Sequence, residues 1–235
     1  MKKKVLHTFL ICWLFTLPVM AQDSCMVVKA EPQLSDIYGA LRSLNVHIFR
    51  FDISSFLKSV YQVNLYIDEY EKDSIPNRYR DVSLGTNIES LDNVPEEYRE
   101  EFRKIKQVPE GKNEWDNIKD ISIYLTKPND SIASFEINIP NTLTTRQRVK
   151  LHPINEYNTY FYDVRPFTFK ATEEKDTVSI PLLLYGSAWL DKKYNIIRFC
   201  GESEIDPDMK AELLKELPHY YIIGLKLTKE QNTLK

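Results

Sequence analysis

Four carboxylates stand at every second position of "GESEIDPD": Glu202, Glu204, Asp206 and Asp208. Clustered oxygen donors suit calcium. An extended chain, however, sets alternate side chains about 7 Å apart on one face, so neighbours share an ion only if the loop curls. The segment also lacks the D-x-D-x-D-G spacing of a calcium loop, and a polar loop leading into a capped helix explains it equally. A second acidic run, "YIDEYEKD", offers Asp68, Glu69, Glu71 and Asp73. Two carboxylates held about 5–9 Å apart can act on a glycosidic bond. Acidic clusters at solvated strand ends are common without that role.

Aromatic side chains crowd "NEYNTYFYDVRPFTF", with Tyr157, Tyr160, Phe161, Tyr162, Phe167 and Phe169 around Arg165. Exposed rings can stack on sugars or hold a protein partner, as tyrosine and arginine do at interfaces. Rings on both faces of a strand also serve as core and cross-strand pairs. Tyr157, Tyr160, Tyr162 and Arg165 are the candidate binding residues. Beyond the N-terminal segment the histidines are His47, His152 and His219, no two at ligand spacing, so zinc is not expected. No nucleophile elbow, P-loop or dinucleotide fingerprint occurs, and there are only six glycines. Neither an enzyme motif nor a cofactor is indicated.

The N-terminus reads as an address. Lys2, Lys3 and Lys4 precede an apolar run, Val5 to Leu17, which Pro18 ends before Val19-Met20-Ala21. This is the layout of a secretory signal cleaved between Ala21 and Gln22. The run is too short for a bilayer, which needs about 20 residues. Lipidation at Cys25 is the alternative, but it wants an aliphatic residue three places earlier, where Gln22 stands. Cleavage removes Cys12 and leaves Cys25 and Cys200, which an oxidising compartment could join for about 2–4 kcal/mol, or leave as two thiols. It also removes three lysines and no acid, so a net charge of −3 becomes more negative. An acidic chain repels phosphate backbones, which argues against nucleic acid as a partner. No second apolar run is long enough to span a membrane.

Strands must position these residues. "VHIFRFDI" aligns His47, Phe49, Phe51 and Ile53; "VYQVNLYIDEYE" aligns Tyr61, Val63, Leu65 and Ile67. "ISIYLTK" and "IASFEINI" alternate likewise around Lys127-Pro128-Asn129-Asp130, which predicts a hairpin turn. "TVSIPLLLYGSAWL" is apolar on both faces and reads as a central strand covered on both sides. In "IIRFCG", alternation sends Ile197 and Phe199 to the core and Cys200 outward. "YYIIGLKLT" closes the series with Tyr221, Ile223, Leu225 and Leu227. Helical spacing occurs in "SDIYGALRSL", "PEEYREEFRKIK" and "DPDMKAELLKELP", the last predicted to start at an Asp206 cap and stop at Pro218. The expected fold is mainly β: an antiparallel β-sandwich or partly closed barrel with one to three short helices. A signal over 1–21 and an N-terminal arm with a possible short helix over 22–45 precede one domain over 46–235.

The signal, "NLYIDEYE", "VPEEYREEF" and "NIIRFCGE" together resemble an uncharacterised exported Bacteroides-type family, one of the domains of unknown function. The resemblance brings no catalytic residues. The sequence therefore predicts an exported, periplasmic or secreted binding module for a glycan or envelope protein. A carboxylate-dependent hydrolase of an envelope or dietary polymer is the alternative, and a structural envelope component the third.

Overall fold

The computed structural model describes residues 29–72, 74–155, 158–169 and 175–230. The chain divides into two units, Met1–Ile37 and Tyr38–Lys235. The described part of the first holds the opening of helix α1 (Leu34–Ser43), where the Asp36 carboxylate accepts the Gln33 N–H at 2.7 Å.

Among its described residues the second unit carries thirteen strands: β1 (Val46–Asp52), β2 (Tyr61–Glu71), β3 (Asn77–Thr86), β4 (Ile88–Ser90), β5 (Glu114–Asp116), β6 (Asp120–Asn129), β7 (Ile132–Ile139), β8 (Leu143–Lys150), β9 (Tyr162–Pro166), β10 (Thr177–Ser187), β11 (Trp189–Asp191), β12 (Ile196–Arg198) and β13 (His219–Lys229). Helix α2 (Arg99–Ile105) lies between β4 and β5, and α3 (Glu212–Glu216) precedes β13. One sheet runs β1-β6-β7-β8 and the other β3-β2-β13-β10-β9, with every pairing antiparallel. Ribbons β4-β5 and β11-β12 stand apart. Among the described residues neither sheet closes on itself, and the fold is a mainly-β antiparallel sandwich.

The core follows from the pleat, which sends alternate side chains to one face. From the smaller sheet come Ile121, Ile123 and Leu125 of β6 and Ala133, Phe135, Ile137 and Ile139 of β7. They meet Tyr61, Val63, Leu65 and Ile67 of β2 and Tyr221, Ile223, Leu225 and Leu227 of β13. Phe135 meets Tyr185 edge-on, ring centroids 5.8 Å apart. The outer face of the larger sheet is covered too: Tyr66, Leu184 and Ile222 pack with Phe167, Ile205, Leu213 and Leu217. This second cluster is why β10 reads as apolar on both faces.

Three local expectations are corrected. Strand β6 continues through Pro128 with a register shift between Thr126 and Asn129, so Asp130-Ser131 makes the hairpin turn. The last helix does not start at Asp206. Asp206 and Asp208 each accept a backbone N–H two residues on, at 3.1 and 3.0 Å, and Met209 has φ 59°, so this stretch is turns. Helix α3 begins only at Glu212, where the Glu202 carboxylate accepts the N–H groups of Glu212 and Leu213 at 3.1 and 3.3 Å. Ile197 does not face the core: among the described residues β12 pairs only with β11, and Ile197 is 45% exposed.

Candidate functional site

The inward face of β2 runs through four core side chains and ends on Glu69 and Glu71. On the neighbouring β13 the same face ends on Tyr221 and His219, with Tyr221 opposite Glu69 and His219 opposite Glu71. Next, β10 contributes Ser187, and β9 contributes Tyr162, its cross-strand partner. Each strand thus brings its last inward residue to one end of the larger sheet. The facing sheet answers with Lys150, the end of β8, and His152 just beyond it.

A chain of hydrogen bonds joins them. Tyr162 Oη lies 2.7 Å from His219 Nδ1, and His219 Nε2 lies 3.1 Å from Glu69 Oε1. The Tyr221 hydroxyl is 2.8 Å from the same Glu69 oxygen and 2.7 Å from the Lys150 carbonyl. Tyr162 Oη also accepts the His152 N–H at 2.9 Å, and Ser187 Oγ accepts the His219 N–H at 3.2 Å. The His152 ring stacks on His219, centroids 4.0 Å apart and planes 16° apart. His152 Nδ1 is 3.5 Å from Glu71 Oε1. The cluster opens outward: His219 is 2% exposed, whereas the side chains of His152 and Glu71 are 40% and 52% exposed.

Burial lowers the His219 pKa below its ordinary value, outweighing the Glu69 carboxylate that would raise it. For Glu69, burial works to raise the pKa, but the hydrogen bonds from Tyr221 and His219 outweigh it and leave the carboxyl below its ordinary value. The matching protonation is a neutral imidazole beside a carboxylate. A carboxylate only accepts, so Nε2 carries the ring hydrogen and Nδ1 accepts from Tyr162. Burial, and then the bond to Glu69, push the Tyr221 phenol up, so it stays protonated at neutral pH.

Tyr162→Phe removes the one atom that meets both His219 Nδ1 and the His152 N–H. The expected loss is about 1–3 kcal/mol, the cost of stranding buried polar groups, read as a lower denaturant midpoint with unchanged slope. An unchanged midpoint would show that Tyr162 Oη adds nothing to the fold.

Among the described residues, Glu69, His152 and His219 are the one group of three or more potential metal-binding side chains that converges, with ligand atoms within 4.8 Å of one another. Sequence spacing missed it: the two histidines, sixty-odd positions apart, meet only because β8 and β13 end at the same place. His152 and His219, which no spacing along the chain relates, are thus brought side by side.

The residues singled out from sequence are placed differently. Glu202 caps α3 as described, its own backbone N–H and those of Glu212 and Leu213 holding its carboxyl below the ordinary value. Glu204 is exposed, and Asp208 pairs with Lys210 at 3.1 Å. With Asp206 accepting the Asp208 N–H, Glu202, Asp206 and Asp208 are each engaged by a separate local partner. In "YIDEYEKD", Asp68 points to the opposite face and pairs with Arg78 at 2.7 Å; Asp73 lies outside the described residues. The two carboxylates left at the site, Glu69 and Glu71, come from one strand rather than from facing strands. Tyr162 is buried with its hydroxyl in the cluster, and Tyr160 packs against the core. Arg165 is held by Asp163 at 2.8 Å and lies 4.5 Å over the Phe199 ring. Tyr157 lies outside the described residues, as do Ala21, Gln22 and Cys25; Cys200 is exposed and, among the described residues, unpaired.

No helix among the described residues is long and apolar enough to cross a membrane. No curated protein matches the sequence. One family matches from residue 16 to residue 229, nearly the whole chain, and the protein therefore belongs to the family described as Domain of unknown function (DUF5041).

Proposed function

We propose that the protein is an exported binding module of the periplasm or cell surface, and that it takes its ligand at the Glu69–His152–His219 end of the sandwich. One observation carries this reading: at that end an apolar core gives way to two carboxylates, two imidazoles and two phenols, with His152 and Glu71 reaching solvent. Polar groups converging at the mouth of a rigid β scaffold are how binding sites fix a ligand. The aromatic strand supports the site from behind: Tyr162 orients His219 and offers no face to solvent. A hydrolase acting through two carboxylates from separate strands is the weaker reading, because Glu69 and Glu71 share a strand.

Export rests on the signal layout ahead of Gln22, and intact mass of the secreted protein tests it. A mass beginning at Gln22 supports a soluble exported module. A mass beginning at an acylated Cys25 moves the module onto a membrane surface, and an uncleaved Met1 in the cytoplasm removes the export reading. Binding is tested by thermal shift of the wild type and of Glu69→Gln and His152→Ala against glycans, envelope peptides and cations. The expected hit raises the melting temperature of the wild type and not of the variants. A hit that shifts all three alike puts the ligand elsewhere.

A further inference from the structure

Resting on that reading of the sandwich end as the ligand site, we infer that Glu69, His152 and His219 bind a first-row transition dication of the zinc class. Their ligand atoms already lie within 4.8 Å of one another, and each comes from a different segment: β2, the chain leaving β8, and β13. Two imidazole nitrogens and one carboxylate oxygen match the donor preference of zinc, cobalt and nickel. Calcium and magnesium, which want oxygen donors, are poorly served.

The surroundings match the ion as well. Tyr162 Oη, 2.7 Å from Nδ1, can accept a hydrogen there as readily as donate one. When Nε2 gives up its hydrogen to bind metal, Nδ1 takes one and donates it to Tyr162, and the ring keeps its orientation. Tyr221 holds the Glu69 carboxylate in the same way at 2.8 Å. Partners of this kind, fixing the tautomer and direction of each ligand, accompany metal sites generally. The single hydroxyl hydrogen of Tyr221 faces two acceptors, Glu69 Oε1 and the Lys150 carbonyl. The carboxylate oxygen therefore keeps accepting capacity for a cation.

One movement is required. Metal–ligand bonds of about 2.1 Å place donors roughly 3.4 Å apart, closer than the widest separation here. Two rings stacked 16° from parallel cannot both hold one ion in their planes. His219 is buried and fixed, so the His152 ring must turn off it toward the mouth; its 40% exposed side chain has room to do so. Glu71, 3.5 Å from His152 Nδ1, stands ready as an additional oxygen donor. Three protein ligands leave a position open to solvent, so the ion can take a donor atom from whatever the module binds.

The test uses the full chain, stripped with chelator and titrated with Zn(II) by calorimetry and with Co(II) by visible absorption. One Zn(II) per chain is expected, with a raised melting temperature that Ca(II) and Mg(II) do not reproduce. Replacement of His152, whose side chain is 40% exposed, in His152→Ala is expected to weaken Zn(II) on the order of 100-fold, and Tyr162→Phe about tenfold. Absence of Zn(II) binding by the wild type, or equal binding by folded His152→Ala, overturns the inference. No Zn(II) binding together with a metal-free organic hit in chelator that depends on Glu69 overturns it while leaving the ligand site intact. Failure of the wild type to bind any probe at this end, metal or organic, defeats both readings.

Discussion

Phe135→Ala is expected to destabilise the protein by about 3–5 kcal/mol, the range for truncating a buried aromatic in a close-packed core. Phe135 is fully buried at the middle of β7, and its ring meets Tyr185 of the facing sheet edge-on at 5.8 Å, so it is a bridge between the sheets. Ile123, Ile137 and Leu183 around it are likewise fully buried within the same cluster, and rigid strands on both sides keep the cavity from collapsing. For a domain whose whole stability is about 5–15 kcal/mol, that loss is a large share. Equilibrium unfolding followed by far-UV circular dichroism checks it, as a lower midpoint. Phe135→Leu, which refills most of the volume, should recover much of the loss. A Phe135→Ala midpoint within error of the wild type would mean the two sheets are not held together at this ring.

The second large effect is at Gly224, in the middle of β13. It sits opposite Tyr66 on β2 and opposite Pro181 on β10, where the β10–β13 register shifts between Pro181 and Leu183. A Cβ there would fall 2.4 Å from Cζ and Oη of Tyr66 and 2.6 Å from the Ile180 carbonyl oxygen. The tyrosine lies across the gap the glycine leaves, a known way of covering a strand glycine. Gly224→Ala must therefore expel the ring or open the β10–β13 ladder, at an expected cost of about 3 kcal/mol. A double-mutant cycle separates the two. If the Tyr66 ring is the main obstacle, Gly224→Ala in a Tyr66→Ala background costs clearly less than in the wild type. Strict additivity would assign the clash to the Ile180 carbonyl alone. Because β13 also carries His219 and Tyr221, a Gly224→Ala chain that still folds should bind Zn(II) more weakly than the wild type.

Much of the sandwich was legible because burial writes a period of two into a strand. The inward rows of β2, β6, β7 and β13 alternate clearly, and the doubly apolar run of β10 announced cover on both faces. Strands β3 and β8 were missed for the opposite reason. They are sheet edges, and the sequences Asn77–Thr86 and Leu143–Lys150 are rich in arginine and polar side chains, the composition that keeps edges from pairing with other chains. The late helix was misplaced because a plausible cap and proline at Asp206-Pro207 were overruled locally. Two aspartate side chains satisfied backbone N–H groups in turns, and the capping acceptor came from Glu202, ten residues ahead of α3.

The candidate site separates the two sources of information most clearly. Strands with an apolar inward face could be read along the chain, since alternation is a local property set by the pleat. The sequence also singled out Glu69, though only as part of an acidic run. The meeting of Glu69, His152, Tyr162, His219 and Tyr221 at one end of the sandwich could not be read there. That outcome depends on register and strand order: β13 lying between β2 and β10, and β8 ending opposite them in the other sheet. These are long-range choices, made by the fit of one inward face against another, and no spacing along the chain encodes them.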